Sequence, residues 1–385
     1  MYFVEWMHWQ GQIAEEGSWL SQKGKLPGVT AQEVSDDKKR ANKERKERQS
    51  DTPRLRSPVY AYNDTYMEMR AGCMEYARGL ITVISIFFLY FIAASAILSF
   101  LTFFDFFLDH DFSAFVAGLF PLAGACFFGW LYFKYGLQIT RFEMLTQRRL
   151  LIRFNRKTRQ IYLHRPKYAG GIATLPWDDA QGIYDLGGSR FPILLLWPSQ
   201  PNRPQMEGIH VGKACATSEP MRDEWEFIRR YMEEGLEGLP QPRIRSKWPL
   251  PWHAFEPVFG GMLGLLLGRR ENRQSSNPAQ GKQQTGKWLL GRLLMLVALV
   301  IISPALLILG LANWLSQLLC WEPRWPKVIR EAGQPGKPIP KLTTTEDYDP
   351  ETCRRLYLNA DLWVPKDHDP DASAEDEKSG SQWLP

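Results

Sequence analysis

The chain has 385 residues, 47 Lys plus Arg against 42 Asp plus Glu, a net charge of +5 and a mean hydropathy of -0.31. The length predicts two or three units. The charge is a sum of unlike parts, a basic region before residue 60 and an acidic last forty residues, so it argues against a chain-wide nucleic-acid surface. Cys73, Cys126, Cys215, Cys320 and Cys353 are odd in number and scattered, with no CxxC pair, which excludes a disulfide framework and a zinc site as readings of the sequence.

The start, Met1-Tyr2-Phe3-Val4-Glu5-Trp6, lacks a basic segment leading into an apolar one, so no cleavable signal peptide is expected. Trp6, Trp9 and Ile13 fall at helical spacing and predict a short amphipathic helix. From Asp36 to Arg56 the chain is dense in charge and nearly free of apolar residues, which predicts a solvated or disordered arm. Residues 1–58 are therefore read as a charged N-terminal arm, partly disordered.

Leu80 to Phe104 and Phe112 to Phe133 carry no charge, and each meets the ~20 residues a helix needs to cross a bilayer. Only a short link with Asp105, Asp109 and Asp111 separates them, so residues 59–137 predict a transmembrane hairpin with spans at about 80–104 and 112–133. Arg56, Arg70 and Arg78 precede the pair and Lys134, Arg141, Arg148 and Arg149 follow it, whereas the link has neither Lys nor Arg. The positive-inside rule then places both ends in the cytoplasm and the acidic link outside. Trp130, Tyr132 and Tyr135 are expected in an interfacial aromatic belt.

Residues 138–240 predict a cytoplasmic β domain. Leu150, Ile152 and Phe154 alternate with Leu151, Arg153 and Asn155, and Gln160 to His164 resumes the alternation after the turn Asn155-Arg156-Lys157-Thr158. Further strands are expected at Gly171–Leu175, Gly182–Asp185, Ile193–Trp197 and Gly208–Val211. A helix follows, with Ser218 as N-cap, Pro220 in its first turn, Trp225, Ile228 and Met232 on one face, and Gly235 as its stop.

Residues 241–287 are read as an interfacial segment and a flexible linker, because Val258 to Leu267 is too short to cross. Leu293 to Trp321 is a third uncharged run, and 288–321 is taken as a further transmembrane segment kinked at Pro304. A single span would send the tail outside; a re-entrant pair would return it. The tail, 322–385, is Pro-rich, then acidic, and is expected to be disordered.

Strong catalytic patterns are missing from the sequence: it holds no GxSxG, Walker A or HExxH pattern. Asp178-Asp179 reads as a turn, His164 and His210 as satisfied strand residues, and Gly187-Gly188-Ser189 as a lone loop signal. Arg148, Arg149, Arg153, Arg156, Lys157, Arg159, Arg165 and Lys167 form the best candidate contact patch, for anionic lipid or a partner. Ordinary positive-inside bias explains the same residues equally well. Spans without charge disfavour a small transporter.

The order of strands followed by one helix resembles the small split barrel of pleckstrin-homology-like (PH-like) domains. The resulting fold class is an α+β membrane protein with a two-helix hairpin, a PH-like β domain and a C-terminal membrane helix. Phe154 to Tyr162, Pro176-Trp177-Asp178 and Trp225 to Gly235 resemble an uncharacterised family of proteobacterial inner-membrane proteins often encoded beside type VI secretion effectors. That resemblance covers roughly residues 60 to 245 and implies a multi-pass inner-membrane protein, an immunity or accessory protein to a secreted toxin. The expected role is non-enzymatic: the cytoplasmic domain binds a protein partner, or else it scaffolds on anionic lipid. No cofactor, metal or nucleic acid is implied.

Overall fold

A computed structural model describes residues 2–14, 39, 45, 47–74, 78–110, 112–184, 192–198, 200, 203–213, 215, 218–266 and 285–359, with backbone only over 260–266 and 285–295. The Gly187-Gly188-Ser189 loop, Asp111, the linker 267–284 and the acidic end 360–385 lie outside these residues. The fold is α+β, with one antiparallel sheet and several helices. The chain divides into a helical unit, Glu75–Arg148 with Trp248–Trp321, and a sheet unit, Tyr2–Met74, Arg149–Lys247 and Glu322–Pro385.

In the sheet unit, α1 (Phe3–Ile13) is followed by β1 (Val59–Tyr62) and β2 (Tyr66–Ala71), then by β3 (Leu150–Asn155), β4 (Gln160–His164), β5 (Ile172–Pro176), β6 (Gln181–Ile183), β7 (Ile193–Trp197) and β8 (Glu207–Val211). Strand order is β5-β4-β3-β2-β8-β7-β6, with β1 beside β2. Two antiparallel meanders, β2 to β5 and β6 to β8, thus join through the Ala71–Val211 pairing. The first meander begins earlier than the alternation after residue 138 suggests. β2 lies in the stretch read as part of the hairpin, yet it pairs with β3 from Tyr66–Asn155 to Ala71–Leu150. Two neighbouring strands are therefore separated in sequence by a whole helical excursion, a long-range pairing that local periodicity does not reveal.

Helix α4 (Glu219–Glu233) closes the unit. Trp225, Ile228 and Met232 are buried, and Gly235 takes φ +101 at the helix stop, a conformation that favours glycine. Ser218 occupies the N-cap position but its side chain makes no capping bond. Phe154, Trp177 and Trp225 form the inner core, with ring centroids 6.4 and 5.8 Å apart in sequence. Gly182 lies so close beneath the Trp225 indole that a Cβ would meet it at 2.9 Å.

The largest departure from the sequence reading is at the C-terminal end. Residues 322–359, expected to be disordered, are folded: the stretch 324–343, with α7 at Lys327–Glu331, covers the outer face of the first meander, and α8 at Pro350–Leu358 packs against α1. The reason is burial: Trp325, Ile329 and Ala332 complete an apolar cluster with Tyr60, Leu151 and Tyr162. Thr343 also exchanges two bonds with Thr174 on the edge strand β5, at 2.8 and 2.9 Å, which satisfies an otherwise open sheet edge.

The helical unit contains α2 (Leu80–Asp109), α3 (Phe112–Leu131), α5 (Pro251–Leu266) and α6 (Thr285–Leu318). Helix α3 continues through a π-turn at Tyr132–Gly136 into a last turn, Leu137–Thr140. Three stretches, Leu80–Asp109, Phe112–Thr140 and Leu296–Leu318, are long and apolar enough to cross a membrane. Their large apolar side chains, among them Phe87, Tyr90, Phe120 and Ile301, stand exposed, a surface suited to hydrocarbon rather than water. Phe91 meets Phe128, and Ser99 Oγ donates to the Gly118 carbonyl at 2.9 Å, so α2 and α3 pack side by side. Tyr132, expected at an interface, is instead buried, its hydroxyl 3.0 Å from Thr140 Oγ1. Helix α6 runs unbroken through Pro304 and begins at Thr285, before the run read from sequence.

Candidate functional site

The candidate site is the outer face of the first meander, because cross-strand register gathers its polar side chains there. Glu68 faces Arg153 across β2–β3, and Arg153 faces Tyr162 across β3–β4. Period-two geometry then puts Asn155, Gln160 and His164 on the same face. All of these groups but Tyr162, whose ring meets that of Trp325, bond the C-terminal segment. Glu68 Oε2 accepts from Trp325 Nε1 at 2.7 Å, and Arg153 Nη1 donates to the Ile329 carbonyl at 3.2 Å. Asn155 donates to Ala332 O and Gln160 to Pro340 O, both at 2.9 Å; His164 Nε2 lies 3.2 Å from Arg324 O.

At the centre is a buried ionic knot. Arg153 donates to Glu68 Oε2 from Nη2 at 2.8 Å and from Nε at 3.2 Å, while Lys247 reaches Glu68 Oε1 at 2.8 Å. The guanidinium lies 4.2 Å from the Tyr66 ring centroid and 5.0 Å from that of Trp325. Burial pushes the Glu68 carboxyl up, but Arg153 and Lys247 outweigh it and hold the group below its ordinary value. For His164, burial lowers the imidazole pKa against the opposing bond to Arg324 O.

The eight basic residues singled out from sequence do not form a free patch. Arg148, in the helical unit, donates to the carbonyls of Gln317 and Cys320 at 2.9 Å each, at the C-terminal end of α6. Arg149 is buried, pairs with Glu322 at 3.2 Å and stacks over Tyr60. Arg153 belongs to the knot. Arg156 and Lys157 share Asp64, each at 2.7 Å, and Arg159 bridges Asp178 and Glu233 at 2.6 and 3.1 Å. Arg165 is sealed against Glu207 at 2.6 Å, both side chains almost wholly buried. Lys167 is exposed. Seven of the eight thus have partners within the chain, those of Lys157 and Arg159 at its surface. The acceptors come from distant segments, so their sequence positions gave no hint of pairing.

The remaining sequence candidates take structural places. Asp178 and Asp179 lie in the β5–β6 turn, with Asp179 accepting from Gln200 Nε2 at 2.8 Å. Burial and then the nearby His8 depress the His210 pKa to about 4. Among the described residues no group of three or more His, Cys, Asp or Glu is arranged to hold a metal ion.

Sequence reasoning missed Glu68, Glu207 and Trp325. For Glu68 a signal exists: Tyr66, Glu68 and Arg70 alternate with Met67, Met69 and Ala71, marking a strand with a polar outer face. For Trp325, inside a Pro-rich stretch, there was none.

A second contact region lies along α4. Gln49 N donates to Glu226 Oε2 at 2.9 Å, Ser57 N to Glu224 Oε1 at 3.1 Å, and Ser50 Oγ bonds Asp223 Oδ1. Residues 49–57 of the arm, read as solvated, are therefore docked by carboxylates that accept backbone N–H groups.

A family model described as a family of unknown function (DUF6708) matches residues 130–334. The match takes in β3 to β8, α4 to α7, and both Arg153 and Trp325; Glu68 precedes it. No curated protein and no solved structure matches the chain.

Proposed function

We propose a role that starts from the premise that this chain belongs to the family of unknown function DUF6708, whose model spans more than half of it. It is a non-enzymatic, membrane-anchored protein whose sheet unit is a PH-like module that binds a protein partner. The observation that carries this reading is the strand order β5-β4-β3-β2-β8-β7-β6 followed by α4. Two meanders joined through their first and last strands, with a helix closing one end, are the features that support a PH-like reading, a scaffold for binding rather than chemistry. The step from fold to role is an analogy.

The three apolar helices act as the anchor, and α2 and α3 are read as a transmembrane hairpin. Arg70, Arg78, Lys134, Arg141 and Arg148 flank that pair while the link between them is acidic, so the sheet unit is assigned to the cytoplasm of a bacterial inner membrane. Contact with anionic lipid is the weaker role, since Arg149, Arg153 and Arg165 are buried against partners within the chain. The resemblance to proteins encoded beside type VI secretion effectors narrows the partner to a secreted toxin, with this chain as its immunity or accessory protein.

The test uses the full chain, extracted in detergent and challenged with the products of adjacent genes. A stable complex, together with cells that become toxin-sensitive when the chain is deleted, is the expected result. If no adjacent product binds and deletion leaves toxin sensitivity unchanged, the toxin reading falls.

A further inference from the structure

The helical unit fixes the direction of each of its helices. Arg78 Nε, at the start of α2, donates to Ser316 Oγ near the end of α6 at 2.7 Å. Gly79 has φ +108, and a Cβ there would stand 2.7 Å from the Leu309 carbonyl oxygen, so α2 starts hard against the last third of α6. Glu143, just past the extension of α3, accepts from Gly79 N at 3.0 Å and Thr82 N at 3.1 Å, capping α2. Asn313 Nδ2 donates to Ala254 O at 3.0 Å, and Trp314 Nε1 to Pro249 O at 2.9 Å, which brings the start of α5 to the same end. Thus α2 and α5 leave from one end, and α3 and α6 return to it.

The sheet unit supplies a second constraint. It is assembled from chain before α2, between α3 and α5, and after α6. The stretch after α6 is held by the Glu68–Trp325, Arg153–Ile329 and Thr343–Thr174 bonds. A single folded unit occupies one side of a bilayer, so every excursion from it makes an even number of crossings. Helix α6 returns across; some earlier stretch must therefore go out.

We infer that α5 is the outward leg of a second membrane hairpin, and that its interaction partner is the lipid hydrocarbon. This rests on the reading of α2, α3 and α6 as spans. α5 has 16 residues, about 24 Å of helix against a ~30 Å core. Local thinning accommodates the remaining mismatch. Residues 269–284 then share a side with Asp105 and Asp109, and the tail shares the side of the sheet unit. The expectation of a single kinked span is replaced by an out-and-back pair. Arg269, Arg270, Arg273 and Lys282 cross despite their charge, the first hairpin dominating orientation.

The experiment uses the full chain with its five native cysteines replaced and one cysteine returned in turn, as His110→Cys, Ser276→Cys or Ser381→Cys. Sealed vesicles of both orientations are treated with a membrane-impermeant maleimide. The expected result is at least tenfold preferential labelling of H110C and S276C from one side and of S381C from the other. Labelling of S276C together with S381C, opposite to H110C, overturns the second hairpin. So does S381C labelled together with H110C, which would make α6 a lone crossing. If all three label from one side, the spans themselves fail, a different outcome. Should the cysteine-free chain not assemble, a protease site inserted at residue 276 of the native-cysteine chain gives the same readout by its cleavage from one side only.

Discussion

Truncating Glu68 to Ala should release the C-terminal segment from the sheet. The carboxylate side chain is fully buried and accepts from Arg153, Trp325 and Lys247. Its loss strands the Arg153 guanidinium, whose side chain is only 6% exposed, without a counter-charge. Breaking a buried pair in this way costs about 3–5 kcal/mol. Stacking between Tyr66 and Trp325 keeps part of the cation's stabilisation, and Lys247 is half exposed and returns to water at little cost. A loss of about 3 kcal/mol is therefore expected, or roughly 6–12 °C in Tm for a unit of this size. Thermal unfolding of the detergent-solubilised chain measures it, with proteolysis in the 322–345 stretch reporting release directly. In a double-mutant cycle, E68A and R153A should couple by at least about 1.5 kcal/mol. An E68A protein within about 0.5 kcal/mol of wild type, or a cycle with no coupling, would refute the knot as the lock on this segment. The acid dependence has a definite sign. The folded pKa of Glu68 is depressed, so its stabilisation is complete above the ordinary carboxylate pKa and is lost as pH falls from there through the folded value.

His210 should add a second acid-labile contribution. Its folded pKa of about 4 lies below the unfolded ~6.5, so the unfolded chain binds the extra proton and up to about 3 kcal/mol is lost between those values; His210→Phe should flatten that limb of a stability-against-pH curve, and an unchanged limb would discount the residue. Gly182→Ala drives a methyl into the Trp225 indole and should cost about 1–3 kcal/mol by denaturant unfolding, with a neutral result showing that β6 can shift away.

Elements held by local pattern were legible in the sequence. The apolar runs at 80–104 and 112–133 need only length and the absence of charge, and the strands from β3 to β8 need only alternation and turn residues. The α4 face of Trp225, Ile228 and Met232 follows from helical spacing, and Gly235 from its freedom at positive φ. The tertiary structure decided what those patterns leave free. Alternation says that Leu151, Arg153 and Asn155 share a face, but not that the face is covered, because its cover arrives some 170 residues later from a Pro-rich stretch. Charge counting finds a cluster of Arg and Lys, but not that Glu68, Asp64, Asp178, Glu207, Glu233 and Glu322 pair with six of its eight members, since each ion pair closes across the fold. The joining of β2 and residues 322–345 in one sheet unit likewise rests on long-range contacts that the nearly equal charges flanking α6 do not encode. Sequence carries the short-range preferences of a strand or a span; the identity of a buried charge's partner is a long-range contact, set only when the chain closes on itself.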